Sequence, residues 1–217
     1  MNYEQARFNM VEQQIRTWEV LDQDVLDLLM AVRREEFVPP AHRNLAFADI
    51  EIPIGCGQVM LKPAIEGKVL QALKLNRSDS VLEIGAGSGY FAALLAARTD
   101  WVRSIDIEPE LVKLASDNLD RYGVQNVTVK EADGALGLPC RAPYDVIVIS
   151  GGVPVVPQAV LGQLKVGGRL FAFVGEAPVM KARLITCIGE GQFRTEDVFE
   201  TLVPMLKNVQ RKDDFRF

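Results

Sequence analysis

The chain has 217 residues, 48% of them hydrophobic, and a formal net charge of −5 with a pI of about 5.1. This composition favours one α/β domain with a sizeable core and excludes a disordered chain, while the acidic balance disfavours nucleic acid as a partner. Cys56, Cys140, Cys187 and the single His42 lack metal-ligand spacing, and no run of about 18 apolar residues occurs, so we expect free thiols, no metal, no membrane span and a cytoplasmic protein.

Two amphipathic helices are predicted near the N-terminus. Residues 4–16 have helical apolar spacing, with Phe8, Val11 and Ile15 on one stripe. Residues 22–34 have the same kind of spacing. We expect both helices to pack onto the rest of the domain.

The stretch 41–63 is expected to be irregular. Its Gly, Pro and short apolar runs predict loops and short extended pieces, with His42 at the surface. A long irregular segment in a compact domain is often functional. We therefore divide the single domain 1–217 into N-terminal helices with a substrate-side segment (1–63) and a core (64–217).

The centre of the sequence is a buried strand that leads into a glycine-rich turn and a helix. The strand is predicted over residues 80–84, and the turn contains Gly85, Gly87 and Gly89. Glycine has no Cβ, so the backbone can turn sharply and a ligand can approach it closely. A strand, such a turn and a helix N-terminus together predict a ligand crevice in an α/β sheet.

The glycine spacing favours one class of ligand. A dinucleotide fingerprint needs its third glycine at position 90, which is Tyr90, so an NAD-dependent oxidoreductase is the disfavoured alternative. The pattern that begins at Glu83 instead resembles the first motif of class I S-adenosylmethionine (SAM) methyltransferases. A carboxylate there suits a ligand with a sulfonium and an ammonium group better than a pyrophosphate.

Later strands are predicted to bring further polar groups to the same edge of the sheet. The strand after the first helix delivers Asp106, which can accept both ribose hydroxyls of a nucleoside, and Glu108 is a rival for this role. The next strand leads to Asp133, which can reach an adenine amino group. Gly134 follows and lets the adenine ring lie close.

The remaining elements complete a mostly parallel sheet. Helices are predicted over residues 64–73, 90–97, 110–122 and 157–164. Strands are predicted over residues 101–105, 127–129, 145–150, 170–174, 182–188 and 193–199, the last two as a hairpin. Gly151 and Gly152 are expected to open the crevice beside the cofactor. The predicted fold is α/β and Rossmann-like, with helices on both faces, an N-terminal helical extension and a C-terminal β-hairpin.

Motifs along almost the whole chain resemble the protein-L-isoaspartate O-methyltransferases. They are MVEQQI, RREEFVP, FADIEIPIGCGQ, VLEIGAGSGYFAALLA, IDIEPELVKLASDNL, the Asp133-Gly134 pair and VPQAVLGQLKVGGRL. The resemblance implies a class I fold, SAM as cofactor, and methylation of the carboxylate of abnormal L-isoaspartyl residues in proteins or peptides, which starts their repair. The cofactor-binding residues expected on this basis are Glu83, Gly85, Ala86, Gly87, Ser88, Gly89, Asp106, Ile107, Asp133, Gly134 and Ser150.

One segment departs from the family pattern. The family reads T-I-S-Q-P where this chain has Val59-Met60-Leu61-Lys62-Pro63, so Leu61 replaces the active-site serine and Val59 the threonine. The serine's expected task is to orient the accepting carboxylate, and Lys62 could supply a replacement cation. The carboxylate itself is ionised at neutral pH and needs no general base.

Three interpretations stay open: an isoaspartyl methyltransferase, a SAM methyltransferase for another small acceptor, and a SAM-binding protein without catalysis. The sequence also leaves the oligomeric state open.

Overall fold

The computed structural model describes residues 2–209, which form two β-sheets and six α-helices. The strands are β1 (Ile52–Gly55), β2 (Gln58–Met60), β3 (Ser80–Ile84), β4 (Trp101–Asp106), β5 (Val127–Glu131), β6 (Tyr144–Val153), β7 (Leu164–Glu176), β8 (Val179–Gly189) and β9 (Gln192–Thr201). The large sheet has the order β5-β4-β3-β6-β7-β8-β9, and its pairings are parallel up to β7 and antiparallel beyond it. The predicted mostly parallel sheet with a C-terminal hairpin is confirmed.

Helices lie on both faces of this sheet. They are α1 (Tyr3–Asn9), α2 (Gln23–Ala31), α3 (Pro63–Leu73), α4 (Tyr90–Arg98), α5 (Pro109–Tyr122) and α6 (Gln158–Leu161). Successive side chains of a strand point to opposite faces, so Val81 joins a core with α3, α4 and α5, whereas Leu82 and Ile84 join a second core with α6. The predicted Rossmann-like arrangement is therefore confirmed, although α6 is shorter than the predicted helix 157–164.

The first predicted helix is only partly regular. After α1 the chain continues as a π-helix over Met10–Ile15 and then as a single 3-10 turn. A π-helical turn holds more residues than an α-helical turn, so the apolar face rotates. Met10, Val11 and Ile15 are buried, but Phe8 is 49% exposed. The prediction is thus wrong for Phe8 and right for the other two stripe residues.

The second predicted helix ends at Ala31 instead of at position 34. Val32 has extended backbone angles (φ −85°, ψ 109°), and a 3-10 turn follows at Arg34–Glu36. This break turns Arg34 and Glu35 into the interior, where their exposed fractions are 0% and 2%. Apolar periodicity does not predict this outcome, because both residues are charged.

The predicted irregular segment contains two ordered pieces. A 3-10 helix covers Pro40–Leu45 and includes a half-buried His42, and the antiparallel β1–β2 hairpin follows. The hairpin turn uses positive φ angles at Gly55 (100°), Cys56 (53°) and Gly57 (71°). The hairpin lies opposite the carboxyl end of β3, at the edge of the large sheet.

Gly151 and Gly152 do not open a crevice as predicted, because they belong to β6 and are covered. Gly152 N–H donates to Pro204 O (2.8 Å), and Leu206 N–H donates back to Gly152 O (2.9 Å). A Cβ on Gly151 would lie 2.6 Å from Leu206 Cδ2, and one on Gly152 would lie 2.7 Å from Met180 Cε. These glycines therefore allow residues 203–209, which we call the C-terminal strap, to lie against the sheet.

Part of the charged C-terminal tail, residues 210–217, lies outside the described residues. Within residues 2–209 no helix is both long and apolar enough to cross a bilayer. The same residues contain no group of three or more His, Cys, Asp or Glu side chains that could hold a metal ion. The three cysteines are free thiols.

Candidate active site

One cavity lies at the carboxyl ends of β3, β4 and β6, the edge at which ligands bind in open α/β sheets. Its empty volume is about 750 Å³ when the open mouth is included. The β1–β2 hairpin forms one wall, the start of α5 a second, and the C-terminal strap a third. Three segments that are distant in sequence thus enclose the end of the central strands.

The three glycines of the turn have different roles. All have positive φ angles: 99° at Gly85, 52° at Gly87 and 82° at Gly89. Gly85 and Gly87 line the cavity, so backbone without side chains faces a ligand there. Gly89 does not line it, and a Cβ on Gly89 would lie 3.0 Å from Ala115 O. Gly89 is therefore needed for the close contact between the start of α4 and α5.

Asp106 and Glu108 both border the cavity. The Asp106 carboxylate accepts hydrogen bonds from Gly87 N–H (3.1 Å) through Oδ2 and from Glu108 N–H (3.1 Å) through Oδ1. These bonds fix the carboxylate against the glycine-rich turn, and each oxygen keeps a lone pair for a ligand hydroxyl. Ile107 lines the cavity between the two acids.

Glu83 lies behind the cavity wall and not on its surface. It is completely buried and accepts hydrogen bonds from Ser104 Oγ (2.5 Å) and Ser150 Oγ (3.3 Å). Burial raises the Glu83 pKa to about 8, and the two serine hydroxyls offset part of this rise. The expectation of a charged carboxylate facing the ligand is therefore corrected, and Ser150 lines the cavity in its place.

Asp133 is held away from the cavity. Its Oδ1 accepts from Ala135 N–H (2.9 Å), and its Oδ2 accepts from Asn208 Nδ2 (2.7 Å). Gly134 does line the cavity, and a Cβ there would lie 2.3 Å from Ile84 Cγ2. The glycine is thus required by the close approach of this segment to β3, whereas Asp133 contributes to the local turn and to the strap.

The two other residues expected to contact the cofactor, Ala86 and Ser88, are buried inside the turn and do not line the cavity. Ala86 N–H donates to Ile105 O (3.1 Å), and Ser88 O accepts from Asn118 Nδ2 (2.9 Å). Both stabilise the conformation of the turn.

On the hairpin side, Ile54, Gln58 and Val59 line the cavity. Leu61 does not: its side chain is 9% exposed and packs in the core, and its carbonyl accepts from Arg34 Nη2 (2.7 Å). Lys62 is half-buried at the N-terminal end of α3 and does not line the cavity either. Gln58 is the polar side chain that this wall offers.

The C-terminal strap is fixed to two acids beyond the ends of neighbouring strands. Lys207 Nζ lies 2.6 Å from Glu108 Oε1, and Asn208 Nδ2 lies near Asp133 as described above. Leu206, Lys207 and Val209 line the cavity. Sequence reasoning missed these lining residues, because no local pattern indicates that the end of the chain returns to the central turn.

Six of the eleven expected cofactor residues therefore meet at one cavity: Gly85, Gly87, Asp106, Ile107, Gly134 and Ser150. The residues that line the cavity fit SAM. Backbone without Cβ lies beside the apolar side chains of Ile84 and Leu111, and two carboxylates can accept ribose hydroxyls. The glycine at position 134 lets this segment pack directly against Ile84 of β3 at the edge of the cavity.

Comparisons with known proteins identify the family of the chain. Residues 5–210 match the family model described as Protein-L-isoaspartate(D-aspartate) O-methyltransferase (PCMT). A protein-L-isoaspartate O-methyltransferase 2 of Pelobacter propionicus is 40% identical over 91% of this chain and 88% of its own. The corresponding protein of Aeropyrum pernix is 36% identical over 99% of this chain and 84% of its own.

Solved structures show the same fold. A protein-L-isoaspartate O-methyltransferase superposes with a TM-score of 0.80 at 25% identity, over 93% of this chain and 66% of that chain. A putative enzyme of this name from Plasmodium falciparum, in complex with S-adenosyl-L-homocysteine, has a TM-score of 0.82 at 17% identity, over 95% of this chain and 99% of its own. The predicted family, fold and cofactor are confirmed, and the chain belongs to the protein-L-isoaspartate O-methyltransferase family of SAM-dependent enzymes.

Proposed function

We propose that this protein transfers the methyl group of SAM to the free carboxylate of L-isoaspartyl residues in proteins or peptides. The match of residues 5–210 to the family model is the observation that supports this most strongly. The cavity also supports it. Its cofactor side, at β3 and β4, carries carboxylates, whereas the polar group of the hairpin wall is the neutral amide of Gln58.

The reaction asks for little acid–base chemistry. Bound SAM supplies a sulfonium methyl group, and its transfer to a carboxylate oxygen forms a methyl ester and leaves a neutral thioether. A carboxylate with a pKa near 4 is already ionised, so no proton moves. The protein must orient the two reactants and exclude water. Among residues 2–209, no histidine lines the cavity, which is consistent with this requirement.

On the cofactor side we assign roles from the lining. Asp106 and Glu108 accept the ribose hydroxyls, with Asp106 the first choice because the glycine-rich turn holds it rigidly. Gly85 and Gly87 provide close backbone contacts. Ile107, Gly134 and Ser150 complete this side, while Glu83, Ala86, Ser88, Gly89 and Asp133 act by shaping it.

On the acceptor side we assign the orienting contact to Gln58. It lines the cavity, and its amide can donate a hydrogen bond to the incoming carboxylate. The Leu61 side chain packs in the core, so we assign Leu61 no contact with the acceptor. Its backbone carbonyl instead helps to hold this segment in place. Lys62 is proposed to add positive charge at the approach to the site. We expect Gln58→Ala to lower kcat/KM about 10- to 100-fold and Lys62→Met to lower it less.

The test is a methylation assay with labelled SAM and two peptides that differ only in an L-isoaspartyl or L-aspartyl residue. We expect base-labile methyl ester only with the L-isoaspartyl peptide. Transfer to other acceptors alone would indicate a different substrate. Binding of S-adenosylhomocysteine in calorimetry without turnover of either peptide would indicate a silent SAM-binding protein.

Leu61→Ser tests the position at which the chain departs from its family. Because the Leu61 side chain packs in the core, we expect a loss of stability of about 2–5 kcal/mol and no large gain in methylation. A gain of more than about tenfold in isoaspartyl methylation would instead assign the acceptor contact to position 61.

A further inference from the structure

The RREEFVP segment carries a fully buried cation that the reaction does not use. Arg34 has 0% exposed surface, although its side chain is charged. Burying a charge costs free energy unless partners compensate for the lost water. The partners of Arg34 therefore indicate what the residue does.

The Arg34 guanidinium has three partners: one in α3, one in the β2–α3 connection and one in α4. Its Nη1 donates to the Glu66 carboxylate in the first turn of α3. Its Nη2 donates to Leu61 O at 2.7 Å. Its Cζ lies 5.0 Å from the centre of the Tyr90 ring. The buried Tyr90 hydroxyl has no hydrogen-bond partner among residues 2–209, so Tyr90 contributes to this cluster through its ring.

These partners lie beside both halves of the site. Leu61 follows Gln58 and Val59, which line the acceptor wall. Tyr90 is the first residue of α4 and comes directly after Gly89 at the end of the glycine-rich turn. A single side chain thus touches the segment that carries the acceptor wall and the segment that cradles the cofactor.

We propose that Arg34 is a positioning residue that fixes the backbone of residues 58–62 relative to the glycine-rich turn, and so sets the separation between acceptor and methyl donor. Its effect on turnover rests on the proposed function. Its effect on the order of residues 58–62 does not, because this follows from the contacts alone.

Arginine suits this task better than lysine. Its planar fork donates in several fixed directions and stacks on an aromatic face, whereas a lysine ammonium is a point charge on a flexible stem. Lysine at position 34 could keep the ion pair with Glu66 but not the Leu61 and Tyr90 contacts as well. Displacing a reacting group by about 1 Å can cost about a hundredfold in rate.

The neighbouring pair Arg7–Glu35 provides a matched control. It is also a buried ion pair between an N-terminal arginine and a glutamate, with side-chain exposures of 8% and 2%. It makes no hydrogen bond to residues 58–62 in the described part of the chain. Arg7→Lys therefore reports the general cost of altering a buried pair.

The experiment compares amide hydrogen exchange and kinetics of the full chain carrying Arg34→Lys or Arg7→Lys. In Arg34→Lys we expect exchange of residues 58–62 to rise about tenfold and kcat to fall about 10- to 100-fold, with affinity for S-adenosylhomocysteine within about threefold of wild type. In Arg7→Lys we expect wild-type exchange in this segment and wild-type kcat. Equal exchange of residues 58–62 in the two variants would overturn the proposal.

A double variant covers the case in which Arg34→Lys does not fold. Arg34→Met with Glu66→Leu removes both charges together, so no unpaired charge is left buried. It still leaves Leu61 O without its donor and should show the raised exchange of residues 58–62. Wild-type exchange in this variant would also refute the proposed role. If wild-type protein methylates no isoaspartyl peptide, the proposed function fails, and the exchange comparison still decides the role of Arg34.

Discussion

Asp106 is the side chain on which the cofactor assignment depends most. Its carboxylate borders the cavity and holds the backbone of the glycine-rich turn through Gly87 N–H. Asp106→Ala removes a charged hydrogen-bond acceptor and loosens the turn, so we expect affinity for S-adenosylhomocysteine to fall about 10- to 100-fold in calorimetry. Glu131→Ala is the control. Glu131 of β5 lies opposite Asp106 of β4 in the strand register, but it is exposed and outside the cavity lining. Unchanged affinity in Asp106→Ala would transfer the role to Glu108.

Glu83 predicts a pH dependence of stability. Its pKa is about 8 in the folded protein because of burial, against an ordinary value of 4.5. Between these values the folded state binds more protons than the unfolded state, so the free energy of unfolding falls as pH rises. Glu83→Gln removes this titration, and we expect its stability to fall less than that of wild type between about pH 5 and about pH 8 in urea denaturation.

Glu66 acts in the same direction, since burial raises its pKa to about 7 despite the Arg34 cation. Wild type and Glu83→Gln share this contribution, so their difference isolates Glu83. Parallel stability curves for the two proteins would mean that Glu83 stays ionised in the folded state.

At the scale of single elements, the glycine-rich turn separates into a ligand-facing part and a packing part. We expect Gly89→Ala to lower the free energy of unfolding strongly, because its Cβ would press on Ala115 O in α5 at 3.0 Å. Gly87→Ala carries the same kind of backbone cost from a positive φ, but its Cβ meets only the flexible Ile54 Cδ1 at 3.3 Å. It should therefore lose less stability than Gly89→Ala while weakening cofactor binding. Chemical denaturation and calorimetry on both variants test this division. Equal losses of stability would contradict it.

The C-terminal strap predicts a kinetic effect. Lys207–Glu108 is a partly exposed ion pair, and such pairs contribute only modestly because water and salt screen them. We expect Lys207→Met to speed release of S-adenosylhomocysteine by up to about fivefold in stopped-flow displacement. Lys181→Met is the control, since Lys181 pairs with Asp197 at similar exposure but outside the cavity lining. The same acceleration in both variants would mean that the strap does not control the release of S-adenosylhomocysteine.

Local sequence patterns were sufficient for elements that follow a single rule. The buried strand β3, the glycine-rich turn and helix α5 each depend on nearby residues, and each was predicted correctly apart from one residue at the start of α5. The patterns failed where distant residues decide the outcome. Gly151 and Gly152 were misassigned because their role depends on Leu206, and α2 was extended too far because Arg34 finds its partners in α3 and beside β2.

The same limit holds for the site as a whole. Sequence identified the cavity floor through Gly85, Gly87 and Asp106, because these residues follow predicted strands. It did not identify the walls, since the hairpin and the strap reach the site by tertiary contacts that leave no local periodicity. It also placed Glu83 on the cavity surface, because the direction of a side chain at a strand end depends on the neighbouring strands, here on Ser104 of β4.

For the whole molecule, ligand binding should couple to folding. A ligand that binds only the folded state at about 100 times its Kd raises the free energy of unfolding by about 2.7 kcal/mol. We expect S-adenosylhomocysteine to do this and NAD to have no effect in the same denaturation experiment. Stabilisation by NAD would revive the dinucleotide alternative despite Tyr90.

The way in which the strap closes the cavity also bears on how the protein is made. The central turn is synthesised early, but Leu206, Lys207 and Val209 come more than a hundred positions later. A nascent chain still attached to the ribosome would therefore display β3 and its glycines with one wall missing. Full cofactor binding has to wait until translation has passed residue 209 and the strap has docked on β6.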